Sequence, residues 1–364
     1  GHGPAADQKD ERNYLTMALF QALYHLLWGD LVTIPLPGGS TLGLSLLVMI
    51  LVPAGVYFTV RTRFLPFRLF PEMVRVTLSN NQKTEHGLSG VQALIVSTAC
   101  RVGMGNLVGV VAFIVLRKNA TVRVLDRMVP IMAACYFFIT LFIILKNAPL
   151  LPGVFGRIFA EAFGLRQVVG GGMGAVIMNG TKRGLFSNEA GSGSAPCAAA
   201  ASHIDHPAKA GLLQALGVFI DTLVICSCSA MIMLLTPVEQ TAGLEGMDLL
   251  QAAMQYHLGT FGVVFIAVIL WLFSLSTFLG ILFYARSNVA YLFGDHWGAQ
   301  LAYKVLALAM LFVGGLATYQ FVWDLGDVGV GLMTIFNMIA LFPLAPRALD
   351  SLRDYEAHIE KKKK

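Results

Sequence analysis

Charge is what this sequence has least of: over 364 residues only 13% are Asp, Glu, Lys or Arg, against 56% hydrophobic side chains. So little polar surface cannot clothe a water-soluble fold of this size, which excludes the soluble classes. The net charge of +5 comes without a stripe of Lys and Arg interleaved with aromatics, so nucleic acid is not the expected partner. Cysteine is also scarce. Cys100, Cys135, Cys197, Cys226 and Cys228 are odd in number, lie inside apolar runs and lack the paired spacing of a zinc site. They read as small packing residues, not as a disulfide framework. No cleavable signal peptide is expected from the polar start Gly1-His2-Gly3-Pro4-Ala5-Ala6, which reads as a tag remnant together with the Lys361 to Lys364 run.

What fills the chain instead is a series of long apolar runs bounded by Gly, Pro and charge clusters, the pattern of an all-α polytopic membrane protein. Asn13 to Trp28 reads as an amphipathic helix lying at the interface. Spans are expected at about Leu42 to Val60, Val91 to Leu116, Leu125 to Leu145, Val168 to Ala200, Gly211 to Leu235, His257 to Tyr284, Gln300 to Phe321 and Val328 to Pro343, eight in all. Arg61, Arg63, Arg68, Arg75 and Lys83 place the 61–90 loop in the cytoplasm, and Arg347 and Arg353 place the C-terminus there too. The charges conflict at one place. Counting spans backward from the tail puts Arg117, Lys118, Arg123 and Arg127 inside, whereas counting forward from the first loop puts them outside. An odd number of crossings is therefore missing near 116/117, or the 91–116 segment re-enters without crossing.

Two spans are interrupted. The first carries Arg101 and Gly103-Met104-Gly105-Asn106; the second runs from Gly170 to Gly174 through Asn179 to Ser194. Unwound backbone at membrane depth is tolerated only where something satisfies its peptide groups. Half-helix N-termini offer N–H groups to a carboxylate and half-helix C-termini offer carbonyls to a cation, a combination suited to a zwitterion with sodium. Close helix packing at small residues, with Arg101 and Lys182-Arg183 snorkelling at helix ends, is the competing account of the same glycines. The polar cluster Asn179, Ser187, Asn188 and Glu189 favours function, because packing glycines need no acid and amides beside them.

At these residues the chain resembles a known family. Ser97 to Ala112 (STACRVGMGNLVGVVA) and Asn179 to Ala201 (NGTKRGLFSNEAGSGSAPCAAAA) resemble the broken helices of the sodium:alanine symporters, also called alanine or glycine:cation symporters. Ile204 to Ile225 and Trp28 to Gly39 are similar to that family as well. The resemblance implies a leucine-transporter-like inverted-repeat fold, with sodium as the coupling ion and a small neutral amino acid such as alanine or glycine as substrate. It implies backbone N–H groups near Met104 and Gly105 for the substrate carboxylate. The substrate-binding candidates are Thr98, Gly103, Met104, Gly105, Asn179, Phe186, Ser187, Asn188 and Asp221. The sodium candidates are the carbonyls of Ala99 and Val102, Asn106, and the hydroxyls of Ser276 and Thr277, oxygens a hard cation prefers. The chain departs from the family after Val110 to Ile114, where three further helices are expected before a stretch like Val115 to Val122. Three is odd, which matches the charge conflict.

The resulting organisation is 1–41 as tag remnant and interfacial helix, 42–90 as peripheral span and basic loop, 91–145 as an incomplete first repeat, 146–345 as the second repeat, and 346–364 as cytoplasmic tail. The expected function is sodium-coupled symport across the cell (inner) membrane by alternating access, without covalent chemistry; oligomeric state is left open. The alternatives are a non-transporting scaffold that keeps the site-forming helices, and a membrane-embedded enzyme using Asp221 or Glu189. Asp221 stands out independently of the family, because an ionised carboxylate in mid-span is costly unless paired or wet. His203 and His206 have the spacing of a metal pair, but Pro207 and a turn follow, which argues against one. Gly191-Ser192-Gly193-Ser194 echoes a nucleophile elbow without the strand that precedes one. Asp324 and Asp327 read as solvated loop acids, and Trp28, Trp271, Trp297 and Trp323 as interface anchors.

Overall fold

The computed structural model describes residues 4–35, 41–79, 92, 94–95, 98, 118–162, 173–200, 202 and 204–363. Helix α1 (Pro4–Trp28) leads into a short antiparallel hairpin of β1 (Val32–Pro35) and β2 (Thr41–Leu44), in register Val32 opposite Leu44. Then come α2 (Leu46–Arg61), α3 (Leu65–Arg68), α4 (Phe70–Ser79), α5 (Lys118–Lys146), α6 (Leu151–Ala162), α7 (Met173–Asn188), α8 (Ser194–Ala200) and α9 (Pro207–Phe219). A π-helical turn (Ile220–Cys226) joins α9 to α10 (Ser227–Leu234), and α11 (Gly246–Phe293), α12 (Trp297–Leu316) and α13 (Tyr319–Lys363) follow.

Among the described residues, five stretches are long and apolar enough to cross a bilayer: Arg127–Lys146, Pro207–Leu234, Gly246–Phe293, Trp297–Leu316 and Tyr319–Ile359. The expected first span is shorter than its apolar run, because residues 42–44 pair in β2 and the helix starts only at Leu46, where the Ser45 hydroxyl accepts from the Val48 N–H at 3.3 Å. Its 16 residues measure about 24 Å, short of a full hydrocarbon core. The helix expected to lie at the interface is longer than its apolar run, beginning at Pro4 rather than near Asn13. The first interrupted segment falls almost wholly outside the described residues, and so do its candidates Ala99, Val102, Gly103, Met104, Gly105 and Asn106. Thr98 is described as helical and buried.

Among the described residues, three apolar clusters hold the helices. In the largest, Met132, Tyr136 and Ile143 of α5 pack with Ile232 of α10 and Met254, Ile266 and Leu279 of α11. Tyr136 also hydrogen-bonds Ser229 across α5 and α10 at 2.8 Å. The second joins Met73 and Val76 of α4 to Leu212, Leu213 and Leu216 of α9 and Tyr355 of α13. The third, around Leu27, Trp28, Leu47, Leu185 and Val328, docks α1 and α2 onto α7 and α13. Helix α12 instead leaves Leu306, Phe312 and Leu316 more than 60% exposed, a surface suited to acyl chains.

Two local sequence choices shape the spans. His206 caps α9, its Nδ1 accepting the Ala208 N–H at 3.1 Å, with Pro207 supplying the first helical position. Gly259 breaks α11 with φ 63° and ψ −148°, a conformation that side-chain-bearing residues avoid, so the helix bends there.

Candidate functional site

The second interruption is real, and among the described residues it is shorter than expected. Residues Met173 to Asn188 form one continuous helix, so Asn179 to Asn188 are not unwound; the described break runs from Glu189 through Gly193, after which α8 begins at Ser194, while Gly170 to Gly172 fall outside the described residues. Three residues there adopt left-handed φ: Glu189 at 53°, Gly191 at 102° and Gly193 at 94°. For Glu189 this is a strained position that its neighbours must hold. Several do. The Asn188 carboxamide oxygen accepts the Ala190 N–H at 2.9 Å, Ser192 donates its hydroxyl to the Glu189 carbonyl at 2.9 Å, and Ser194 donates to the Glu189 carboxylate.

The end of α7 meets the π-turn. Asp221, only 1% exposed, accepts from the Ser187 hydroxyl at 2.7 Å, bridging 34 residues of sequence. Asn188 donates to Thr222 Oγ1 at 3.0 Å, and Ser187 lies 3.0 Å from Cys226 Sγ. A π-turn admits one extra residue per turn and so re-aims the side chains that follow; such insertions in membrane helices gather at sites of function. Here it places a carboxylate, two hydroxyls, an amide and a thiol around the last turn of α7. This arrangement can bind cationic or hydrogen-bonding groups. Among the described residues, no three His, Cys, Asp or Glu side chains gather as a metal group.

Of the sequence candidates, Ser187, Asn188 and Asp221 are thus brought together. Phe186 is adjacent, its ring 5.0 Å from that of Trp323 on α13. Asn179 stands apart, exposed on α7 more than two turns from the break. Ser276 and Thr277 lie in mid-α11 at 0% and 4% exposure, the Ser276 hydroxyl donating to its own helix at the Phe273 carbonyl, 2.8 Å away. The carbonyls expected to face them fall outside the described residues.

Five residues carry roles that differ from those expected of their positions in the sequence. Asp327 is not a solvated loop acid: it is 1% exposed, and its Oδ2 receives both Lys182 and Arg183 at 2.8 Å. Lys182 and Arg183 consequently do not snorkel as a pair. Lys182 is buried, hydrogen-bonded to Tyr24 and placed over the rings of Tyr24 and Trp28, while Arg183 stacks on Trp323 at 4.6 Å. Trp28 is no interface anchor either, since it is 3% exposed and its indole N–H donates to the Asp327 carbonyl at 3.0 Å. Asn337 of α13 donates its amide to the Gly191 carbonyl inside the break at 2.9 Å. A polar residue in the apolar run Phe336-Asn337-Met338-Ile339 was the signal available for it.

Comparison with known proteins agrees with this architecture. The profile of the sodium:alanine symporter family matches residues 37–122 and 111–364. The chain is 31% identical to the amino-acid carrier protein AlsT of Bacillus subtilis (strain 168) over 417 residues, covering 85% of this chain and 89% of that one. It is 30% identical to the probable sodium/glutamine symporter GlnT of the same organism, covering 85% and 88%. It is 37% identical over 254 residues to a sodium/proton-dependent alanine carrier protein of Bacillus sp. (strain PS3), covering 65% and 57%. The AlsT alignment is longer than the 364 residues of the chain, so it passes over residues of the relative that have no counterpart here. With a profile match that extends to both ends of the described spans, the chain belongs to the sodium:alanine symporter family, whose members are transporters and not enzymes.

Proposed function

We propose that this chain binds a small neutral amino acid, alanine or glycine, together with sodium, at the junction of the α7–α8 break and the π-turn after α9, within a leucine-transporter-like inverted-repeat fold. The observation that carries the reading is the buried Asp221 carboxylate tied to Ser187 at the last turn of the broken helix. A mid-membrane carboxylate is retained where a cation or ammonium meets it. Phe186, next to Ser187 in the last turn of α7, supplies apolar surface suited to a short aliphatic side chain. Gly103, Met104, Gly105 and Thr98 complete the carboxylate side, and Asn106, Ala99, Val102, Ser276 and Thr277 supply oxygens to sodium. Transport then requires only that the two faces of the protein bind substrate and ion with different affinities. The 61–90 loop and the C-terminus lie on the cytoplasmic side of the cell membrane.

A second reading, a binding-competent chain that does not transport, is favoured by one observation. The family match falls into two pieces that meet at residues 111–122, where three helices are expected and the loop charges lose their parity. Reconstitution into proteoliposomes separates the two. Sodium-driven uptake of labelled alanine establishes symport; sodium-dependent binding without uptake establishes the second reading; neither binding nor uptake overturns both.

A further inference from the structure

Helix α13 touches the broken helix at two levels. Near one end, Asp327 holds Lys182 and Arg183 on α7, each at 2.8 Å. Ten residues on, about 15 Å along the same helix, Asn337 donates to the Gly191 carbonyl at 2.9 Å across 146 residues of sequence. The approach is close on both sides of that bond. A Cβ built on Gly193, at φ +94°, would stand 3.1 Å from the Asn337 Cβ, and one on Gly191, at φ +102°, would stand 3.3 Å from Met338 Cε. Asn188, Ser192 and Ser194 tie Glu189 and Ala190 locally; the tie from Gly191 runs to another helix.

We infer that Asn337 is a positioning residue of the site: its amide fixes the direction of the Gly191 peptide, and α13 thereby sets the shape of the unwound segment that faces the ligand. The inference rests on the reading of the break as the amino-acid and sodium site. It also explains the two glycines. Gly193 leaves room for the amide to reach the backbone, and both glycines supply the left-handed turns that aim the Gly191 carbonyl at α13. A half-buried amide in an apolar helix with no such task would be a cost without return.

The test compares the wild-type chain with N337L, which keeps the branched shape and loses the donor, and with N337A in case the leucine does not accumulate as folded protein. Hydrogen exchange of the backbone amides at 189–195, measured in sodium without amino acid, is expected to quicken about tenfold, the weight of roughly one hydrogen bond. The KM for alanine in sodium-driven uptake is expected to rise about tenfold, with maximal rate within about twofold and the melting temperature little changed. Unchanged exchange across 189–195 overturns the inference. So does an unchanged KM with maximal rate and melting temperature falling together, the pattern of a merely structural residue. Should the wild type neither bind nor carry alanine, the functional reading fails, and the exchange comparison still decides the role of Asn337.

Discussion

At the residue scale, a membrane interior tolerates polar groups only when they are partnered. Asp221 and Ser187 form one such unit. Asp221→Asn removes the charge and is expected to raise the KM for sodium-driven alanine uptake at least tenfold, whereas Ser187→Ala, which removes one bond to that charge, is expected to cost about fivefold. Asp327 supports a different prediction. With two cations on one buried oxygen, Asp327→Asn leaves Lys182 without a counter-charge and should destabilise the fold by about 3–5 kcal/mol. Arg183→Ala should cost less, since Arg183 is 45% exposed on its side chain and Lys182 keeps the pair; thermal melting in detergent ranks the two.

Asp205, outside the spans, is held below the ordinary carboxylate range chiefly by its hydrogen bond from Lys209 and also by that ammonium's charge. A lowered folded-state value means that its contribution is complete above the unfolded value and is lost as the pH falls through the folded one. Because the pair is largely exposed, that contribution stays within about 1 kcal/mol. Asp205→Asn should therefore shift the melting temperature slightly and equally at pH 7 and pH 6, with the difference vanishing only below about pH 4.

At the element scale, the two bends in otherwise apolar helices have different causes. The π-turn at Ile220–Cys226 inserts a residue without glycine or proline, so nothing in the periodicity of the sequence announces it; only Asp221, a charge in the wrong solvent, marked the place. Gly259, by contrast, bends α11 through a conformation that a Cβ resists, although no atom lies within 4 Å of the position a Cβ would take. Gly259→Ala should therefore cost more than about 1 kcal/mol through backbone strain alone, read as a lower melting temperature with no change in substrate affinity. The break in α7–α8 was legible from its glycines and polar cluster, but its extent was not. Asn179 to Asn188 carry the same residue types as the unwound stretch, and whether they coil depends on α13 and the π-turn packing against them. Asp327 and Lys182 were misread for the same reason: a charge near the end of an apolar run looks solvated until its partner, 144 residues away for Arg183 and Asp327, is known.

At the scale of the whole molecule, composition alone settled the membrane class, and long apolar runs located the five described spans. The family resemblance carried by 179–201 agreed with the profile match over 111–364. The expected pairing of two repeats was not readable in the same way, since residues 99–117, with Ala99, Val102, Gly103, Met104, Gly105 and Asn106 of the expected site, lie outside the described residues. The decisive measurement is equilibrium binding of labelled alanine to the purified chain and to Asp221→Asn, with and without sodium. Saturable binding that needs sodium in the wild-type chain and is weakened at least tenfold in the variant is the predicted result. Binding that is indifferent to sodium, or that survives intact in Asp221→Asn, would contradict the account.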